Sequence, residues 1–329
     1  MITLGEIAAK AGVSITTVSN VLHGNTKKVS KATTEKVTAL LKEGNYVPRM
    51  GWIASPNSRI IGVVINIDKH YEYTFTGSFF YGQIIGSLEK RIRNAGRFMM
   101  LYSSDKLDEI YRMAASWNVD GLVAISFSHK NYLRLKSLIA KPVVAVDLIH
   151  IEGSEYYNVG LNDEGASWEM TTHLIAKGRK GIVFLSNSDW GIDLQRKLGW
   201  QRALSEAGHP QGRHEIIGTL RKDRMQKYEA LLSDSDIGSA WYFSADSFAI
   251  EALGFLASKN ISVPGHIAVA GFDDEPYSEM SCPPLTTTRQ DVPRKGSVAF
   301  ELLLELMAGK TPAANDVRLP VALVDRQSV

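Results

Sequence analysis

From position 60 onward, short, almost wholly apolar runs alternate with amphipathic stretches, and this alternation limits the fold more than any other feature. The runs are 60–67 (IIGVVINI), 97–104 (RFMMLYSS), 121–127 (GLVAISF), 142–149 (PVVAVDLI), 181–187 (GIVFLSN), 239–245 (SAWYFSA) and 266–274 (HIAVAGFDD). Between them, segments such as 79–95, 164–177, 194–207, 247–259 and 292–308 carry apolar residues at helical spacing. A strand that is apolar on both sides leaves no face for water, so helices must cover both faces of a parallel sheet. The expected class is α/β. So many strand–helix units fit two doubly wound lobes better than a (β/α)8 barrel, which has the right length and stays the alternative.

The first 45 residues follow a different rule. Thr3-Leu4-Gly5-Glu6 has the spacing of a capping box, and Ile7, Ala8 and Ala11 then form one apolar face closed by Gly12. Ser14 is placed to cap a second helix, with Val18, Val21 and Leu22 at i, i+3, i+4. Ser30 is placed to cap a third, with Val37, Leu40 and Leu41 inward and Gly44 at its end. The segment 46–59, YVPRMGWIASPNSR, breaks every periodicity and reads as a linker. With 329 residues the chain exceeds one ordinary core. The expected division is a head at 1–46, a hinge or linker at 47–59, and a body at 60–329. Within the body one lobe takes about 60–160 with 290–318, and the other about 161–289 with 319–329.

Charge separates the same parts. Through Arg49, seven basic residues face only Glu6, Glu35 and Glu43, giving +4, whereas the whole chain carries +2. A basic head on a slightly acidic body points to a polyanionic partner, although a solvated surface would look the same. The single cysteine, Cys282, excludes an internal disulfide framework and fits a reducing compartment. No apolar run reaches membrane length and the N-terminus lacks a secretion signal, so a cytoplasmic protein without a membrane partner is expected.

In a helix-turn-helix the second helix lies in the DNA major groove while the first crosses the backbone. Such a helix needs an apolar inner face and short polar side chains outside. Here Thr16, Thr17 and Asn20 project away from the Val18/Val21/Leu22 face, and Asn is able to pair with adenine. Ile15 fits either the rim of the small core or a base contact. A helical corner with a solvated hydroxyl face would share this pattern.

Beyond pattern, the run I7-A8-x-x-A11-G12-V13-S14-x-x-T17-V18-S19-x-V21-L22-x-G24, followed by V29-S30 and G44-N45-Y46-V47-P48, resembles the DNA-binding head of the lactose-repressor (LacI/GalR-type) transcription factors. That resemblance implies that Ile15, Thr16 and Asn20 read bases. It implies that Thr3, Ser14, Thr17, Ser19, His23, Ser30 and Tyr46 hold the phosphate backbone. Family members usually carry Arg where this chain has Asn20, so the half-site it reads is expected to differ. The family's linker folds into a hinge helix with a leucine wedge. Here there is no leucine between Val47 and Ile60, Gly51 and Pro56 oppose a helix, and Trp52 or Ile53 is the candidate wedge.

The body resembles the same family more diffusely. The matching residues include Ser78-Phe79-Phe80, Asp120-Gly121-Leu122, Val159-Gly160, Arg196 with Gly199-Trp200, Gly271-Phe272-Asp273-Asp274 and Pro284-Leu285-Thr286-Thr287. They imply the two-lobed fold of periplasmic sugar-binding proteins, with an effector between the lobes and a homodimer, tetramer remaining open, on a near-palindromic operator.

The cleft also follows from physics, since open α/β sheets bind ligands outside their C-terminal strand ends. Those ends carry Asn66, Asp68, Ser103, Phe127, Asp147, Asn187, Asp189, Trp190, Asp246 and Asp273. Carboxylates and amides among aromatic rings suit a polyhydroxylated ligand, expected to be a carbohydrate, although an Asp after a strand also caps helices. The resemblance favours Arg196 and Asp273 for hydroxyls and Phe80 and Trp190 as walls, with Asp147 and Asp246 completing the candidate set. At Ala245 the family often has Asn, which removes one ligand hydrogen bond.

Enzyme motifs are missing from the sequence: no G-x-G-x-x-G after a strand, no Walker A lysine, no G-x-S-x-G elbow. Glu169 and His173 lack the H-E-x-x-H context of a metal site, and no metal or cofactor is expected. The expected function is an allosterically controlled DNA-binding regulator, a repressor; the alternative is a sugar-binding receptor with a non-functional head.

Overall fold

A computed structural model describes residues 3–22, 26, 29–43, 58–66, 78–149, 155–209, 212–234 and 237–329. The chain divides into two units, Met1–Pro56 and Asn57–Val329.

The head holds α1 (Leu4–Ala11), α2 (Ile15–Leu22) and α3 (Lys31–Glu43). Its capping box forms as the spacing predicts: Thr3 Oγ1 accepts from the Glu6 amide at 3.2 Å, and Glu6 Oε2 accepts from the Thr3 amide at 2.7 Å. Gly12 ends α1 in the left-handed region, φ 72°, which an L side chain adopts only at a cost. Ile7, Ala8, Ala11, Val18 and Val37 form the buried core, with Leu4, Val13, Val21, Leu40 and Leu41 packed against it. Lys36 Nζ donates to the Ala11 carbonyl at 3.0 Å, placing a cation at the negative end of α1.

The body is α/β with two separate parallel sheets, which removes the barrel alternative. The first sheet comprises β1 (Ile60–Ile65), β2 (Phe98–Ser103), β3 (Gly121–Ile125), β4 (Val143–Val146), β5 (Asn158–Leu161) and β11 (Asp316–Leu319). Its order is β11-β5-β4-β3-β1-β2. Successive residues of β1 point to opposite faces, and both faces are buried. Ile60 and Val64 pack with α5 (Leu107–Ser116) and α6 (His129–Leu138). Ile61, Val63 and Ile65 pack with α4 (Phe79–Asn94) and α12 (Val292–Met307). The second sheet, of order β7-β6-β8-β9, contains β6 (Ile182–Ser186), β7 (His214–Ile216), β8 (Ala240–Phe243) and β9 (Ala268–Ala270). It lies between α9 (Arg221–Leu232) with α10 (Asp246–Ser258) on one face and α7 (Asp163–Ala176) with α8 (Gly191–Glu206) on the other. A two-stranded antiparallel pair, β10 (Thr287–Gln290) with β12 (Val321–Val324), completes the sheets among the described residues. One short helix, α11 (Pro276–Met280), follows β9.

Asp120, just before β3, fixes the entry to the body. Its carboxylate accepts from the Ser58 amide and hydroxyl, the Arg59 amide and Arg97 Nη1, all within 3.1 Å. No described helix is long and apolar enough to cross a membrane.

Candidate functional site

The head presents α2 as the sequence predicts. Ser14 accepts from the Thr17 amide at 3.1 Å, and the two hydroxyls share a hydrogen bond at 2.9 Å. That bond uses one of two hydroxyl protons, so the other is left to donate to a phosphate. Val18 is fully buried, whereas Thr16 is exposed and Ile15 is 56% exposed. Ile15 is therefore not core rim: a large apolar side chain stands in water beside a threonine. Ser19 and Asn20 are half-buried on the same helix. Thr3 is more committed, because its hydroxyl also donates to Glu6 Oε2 at 3.0 Å. Ser30 caps α3 by accepting from the Thr33 amide at 3.1 Å. His23, Tyr46, Trp52 and Ile53 lie outside the described residues.

In the body, four of the six candidate effector residues meet through two others that sequence reasoning missed. Lys295, on α12, donates to both oxygens of Asp147, at the end of β4, at 2.7 and 2.9 Å. Its ammonium also donates to Gln290 Oε1 at 2.7 Å and lies 5.4 Å from the Phe80 ring centroid. Gln290 Nε2 donates to Asp273 Oδ1 at 2.6 Å, and Asp273 stands 3.9 Å from Arg196 Nη1. The Arg196 guanidinium carbon lies over the Phe272 ring, 3.5 Å from its centroid, and the side chain donates to Asp163 through Nε and to the Ser244 carbonyl through Nη1. A connected polar chain thus runs from the first sheet, through the β10–α12 connection, to the second. The signal for Lys295 was present in the sequence: it is a basic residue between Val292 and Ala299 on an otherwise apolar helix face.

The remaining two candidates stand apart. Asp246 is fully enclosed, with Oδ1 accepting from Thr287 Oγ1 at 2.5 Å and Oδ2 from the Glu275 amide and Ser278 hydroxyl at 3.0 and 2.6 Å. Trp190 precedes α8 and is 60% exposed. Of the metal candidates, Glu169 is exposed and His173 faces Asp325 at 3.2 Å.

The electrostatics are those of a desolvated acidic site. Burial pushes Asp273 well above the usual carboxylate range, against the pull of Arg196. Burial also raises Asp147, with Lys295 opposing, and Asp193, with Arg196 opposing. Burial works against the Arg196 cation, but Asp163, Asp273 and Asp193 outweigh it and hold the guanidinium protonated. Glu275 rises to about 7, through burial and then its neighbour Asp246. Backbone strain gathers here too: Ser126, Asp147 and Asp273 have φ of 61°, 59° and 124°. Such strained positions persist only where the surroundings enforce them, and they cluster at binding sites. A solvent-open hollow of about 440 Å³ between Arg97, Asp120, Pro142 and Met307 lies instead at the N-terminal strand ends of the first sheet. That is the end away from where α/β sheets bind ligands.

Residues 3–49 match the family described as bacterial regulatory proteins, lacI family, and residues 171–329 match the periplasmic binding protein-like domain. The chain is 29% identical over 340 residues to the HTH-type transcriptional repressor PurR of Vibrio atlanticus, covering 100% of this chain and 99% of the relative. It is 27% identical over 345 residues to the regulator DegA of Bacillus subtilis, covering 99% and 97%. A solved structure of the lac repressor dimer superposes with a TM-score of 0.81 at 24% identity, over 99% of this chain and 98% of that one. With a capped, outward-facing second helix in the head and two wound lobes in the body, the chain carries a lacI-family DNA-binding head and a periplasmic binding protein-like body.

Proposed function

We propose that this DNA-binding regulator is a repressor that lays α2 in the major groove of a near-palindromic operator and answers to a small molecule held between the two lobes of its body. The observation that carries the DNA reading is the solvent-exposed pair Ile15 and Thr16 at the capped start of α2, with Asn20 one turn further on. These three are the base readers, with Ile15 suited to a thymine methyl and Asn20 to adenine. Ser14, Thr17, Ser19 and Ser30 hold phosphates, joined by Thr3 when it releases Glu6. The lac repressor dimer structure is of a complex with operator and the anti-inducer ONPF, which supports the same division of labour here.

In the cleft, Arg196 and Asp273 are the polar readers of the effector. Phe80 forms a wall, Trp190 sits at the rim, and Asp147 and Asp246 brace the loops from inside. A carbohydrate or carbohydrate derivative fits this mixture of hydrogen-bonding groups and rings. We take the head as 1–46, the linker as 47–59 and the body as 60–329. The chain acts as a homodimer: among the described residues β2 is a sheet edge with Phe98 49% exposed, and such an edge needs a cover. Ligand alters operator affinity only as far as it binds the two lobe arrangements unequally.

Selection of operators from a random pool of double-stranded DNA tests the reading. Enrichment of a two-fold symmetric site supports it. Recovery of no preferred sequence would leave a sugar-binding receptor with an idle head.

A further inference from the structure

Among the described residues, Asn66, Ser126 and Asp147, at the C-terminal ends of β1, β3 and β4, each make hydrogen bonds within the lobe. Asn66, after β1, donates to the Ser104 carbonyl at 3.0 Å and accepts from Asn131 at 2.9 Å. Ser126, after β3, shares its hydrogen bond with the Tyr81 hydroxyl at 2.6 Å. Asp147, after β4, has both oxygens within 2.9 Å of Lys295. An ammonium has three protons, and the two Asp147 oxygens with Gln290 Oε1 use all three. Lys295 is 1% exposed, so water does not complete the set.

Fold strength alone does not account for the pair. A buried ion pair adds little over apolar side chains of the same volume, because desolvation offsets most of the attraction. Its effect on recognition is larger. Asp147 would be the first lobe's main hydroxyl acceptor, and Lys295 neutralises its charge and takes one of the two lone-pair positions on each oxygen, which weakens it as an acceptor for a ligand. What this lobe then shows beside the pair is the Phe80 ring, with Phe79 next to it reaching edge-on to Tyr277 of α11 at 6.0 Å. The second lobe is different. Arg196 has more donors than it gives to Asp163 and Ser244, and Asp273 engages Gln290 through Oδ1, which leaves Oδ2.

We propose that Lys295 tunes the selectivity of the cleft: by holding Asp147 it biases hydrogen-bonded recognition toward the Arg196–Asp273 side. The ligand class is then amphipathic, with polar groups along one edge and a ring or other apolar face toward Phe80. Free sugars, with hydroxyls all round, are disfavoured because their inner hydroxyls would lose water and gain only the weakened Asp147 acceptor in return. This rests on the reading of the cleft as the effector site.

Isothermal titration of the full chain and of a D147N/K295L double variant tests it. The probes are D-glucose, D-galactose, their phenyl β-glycosides, and adenine. The double variant replaces the ion pair with one neutral amide, and so avoids the buried unpaired charge that K295L alone would leave. The expected result is that the original chain binds at least one ring-bearing probe about tenfold or more tighter than the free sugars, and that the variant narrows this ratio by about tenfold, the size of one hydrogen bond gained by the sugar. A free sugar bound as tightly as its phenyl glycoside by the original chain overturns the proposal. So does an unchanged ratio in a folded variant. Binding of no probe by either protein overturns the effector-site reading together with the proposal.

Discussion

Arg196 meets Asp163 side-on, with Nε at 3.0 Å and Nη2 at 2.9 Å from the same carboxylate oxygen, and both side chains are almost fully buried. Asp163 is the first residue of α7, two positions after β5 of the first sheet ends, whereas Arg196 lies within α8, packed on the second sheet. The pair therefore fastens the segment that leaves one lobe to a helix of the other. The same guanidinium turns its other edge to Ser244 and Asp273, so the side chain proposed to read the effector also braces the crossover.

Arg196→Ala should consequently do two things. Removing one partner leaves Asp163 buried without its cation, which costs about 3–5 kcal/mol. Chemical denaturation of the body will show this as a lower midpoint. In protein that remains folded, operator binding persists while the response to effector is lost, because the head keeps its own core. An unchanged effector response in gel-shift titrations would remove Arg196 from the site.

Asn20→Arg tests the head by itself. An arginine at this position of α2 is able to make the two-pronged contact to guanine that asparagine cannot, and such a contact discriminates by about 1–3 kcal/mol. Operators selected from random DNA should therefore change at one base pair per half-site and keep their symmetry. If both proteins select the same sequence, position 20 reads no base.

How much was legible in the sequence follows from the range of the interactions. The head was readable almost residue by residue, because Thr3 with Glu6 and Ser14 with Thr17 are contacts three positions apart. The long apolar runs gave the central strands for the same local reason. The strands missed by pattern were β5, β7, β10, β11 and β12, each only three or four residues long. Three of them carry charges, Glu215 in β7, Arg289 in β10 and Asp316 with Arg318 in β11, that long-range pairing tolerates. The cleft was half legible. Strand ends named Asp147 and Asp273, but the partner of Asp147 lies 148 positions away and no spacing reveals it. Asp246 was named in the effector set by its strand end; in the structure its oxygens accept from hydroxyls of α11 and β10 and from the Glu275 amide.

Acidity should strengthen the body, and Glu275 is the group to test. Its pKa is about 7 in the folded body through burial and the neighbouring Asp246, against an ordinary 4.5. The folded form thus holds a proton that the unfolded chain has released across that interval. Stability from this group is fully present below about pH 4.5 and is lost as pH rises through 7. Asp246, raised to about 6, adds the same sign over a lower interval. Melting temperatures of the chain should fall between pH 5 and 7.5, and Glu275→Gln should flatten the upper half of that fall. An equal slope in the variant would show that Glu275 does not titrate there.

A close contact between two helices of the body predicts a damaging small substitution. Gly199 of α8 lies so close to α7 that a Cβ built on it would stand 2.0 Å from the Glu164 carbonyl oxygen and 2.9 Å from the Trp168 amide nitrogen. Both are backbone atoms of a helix, so no side chain can rotate away to make room. Gly199→Ala must therefore push the two helices apart. That strains the neighbouring Arg196–Asp163 pair and the stack of Trp200 on Phe184, whose centroids are 5.7 Å apart. Overpacking of this kind costs about 1–3 kcal/mol even where side chains are able to yield, and the loss here should reach or exceed the upper end. Gly254→Ala, on α10 with open space around the new methyl group, is the control, and a helix interior favours alanine over glycine by about 1 kcal/mol. Urea unfolding should then place the midpoint of Gly199→Ala below, and that of Gly254→Ala above, the original chain. A Gly199→Ala midpoint equal to the original would mean that α7 and α8 pack less closely in solution than their backbones do here.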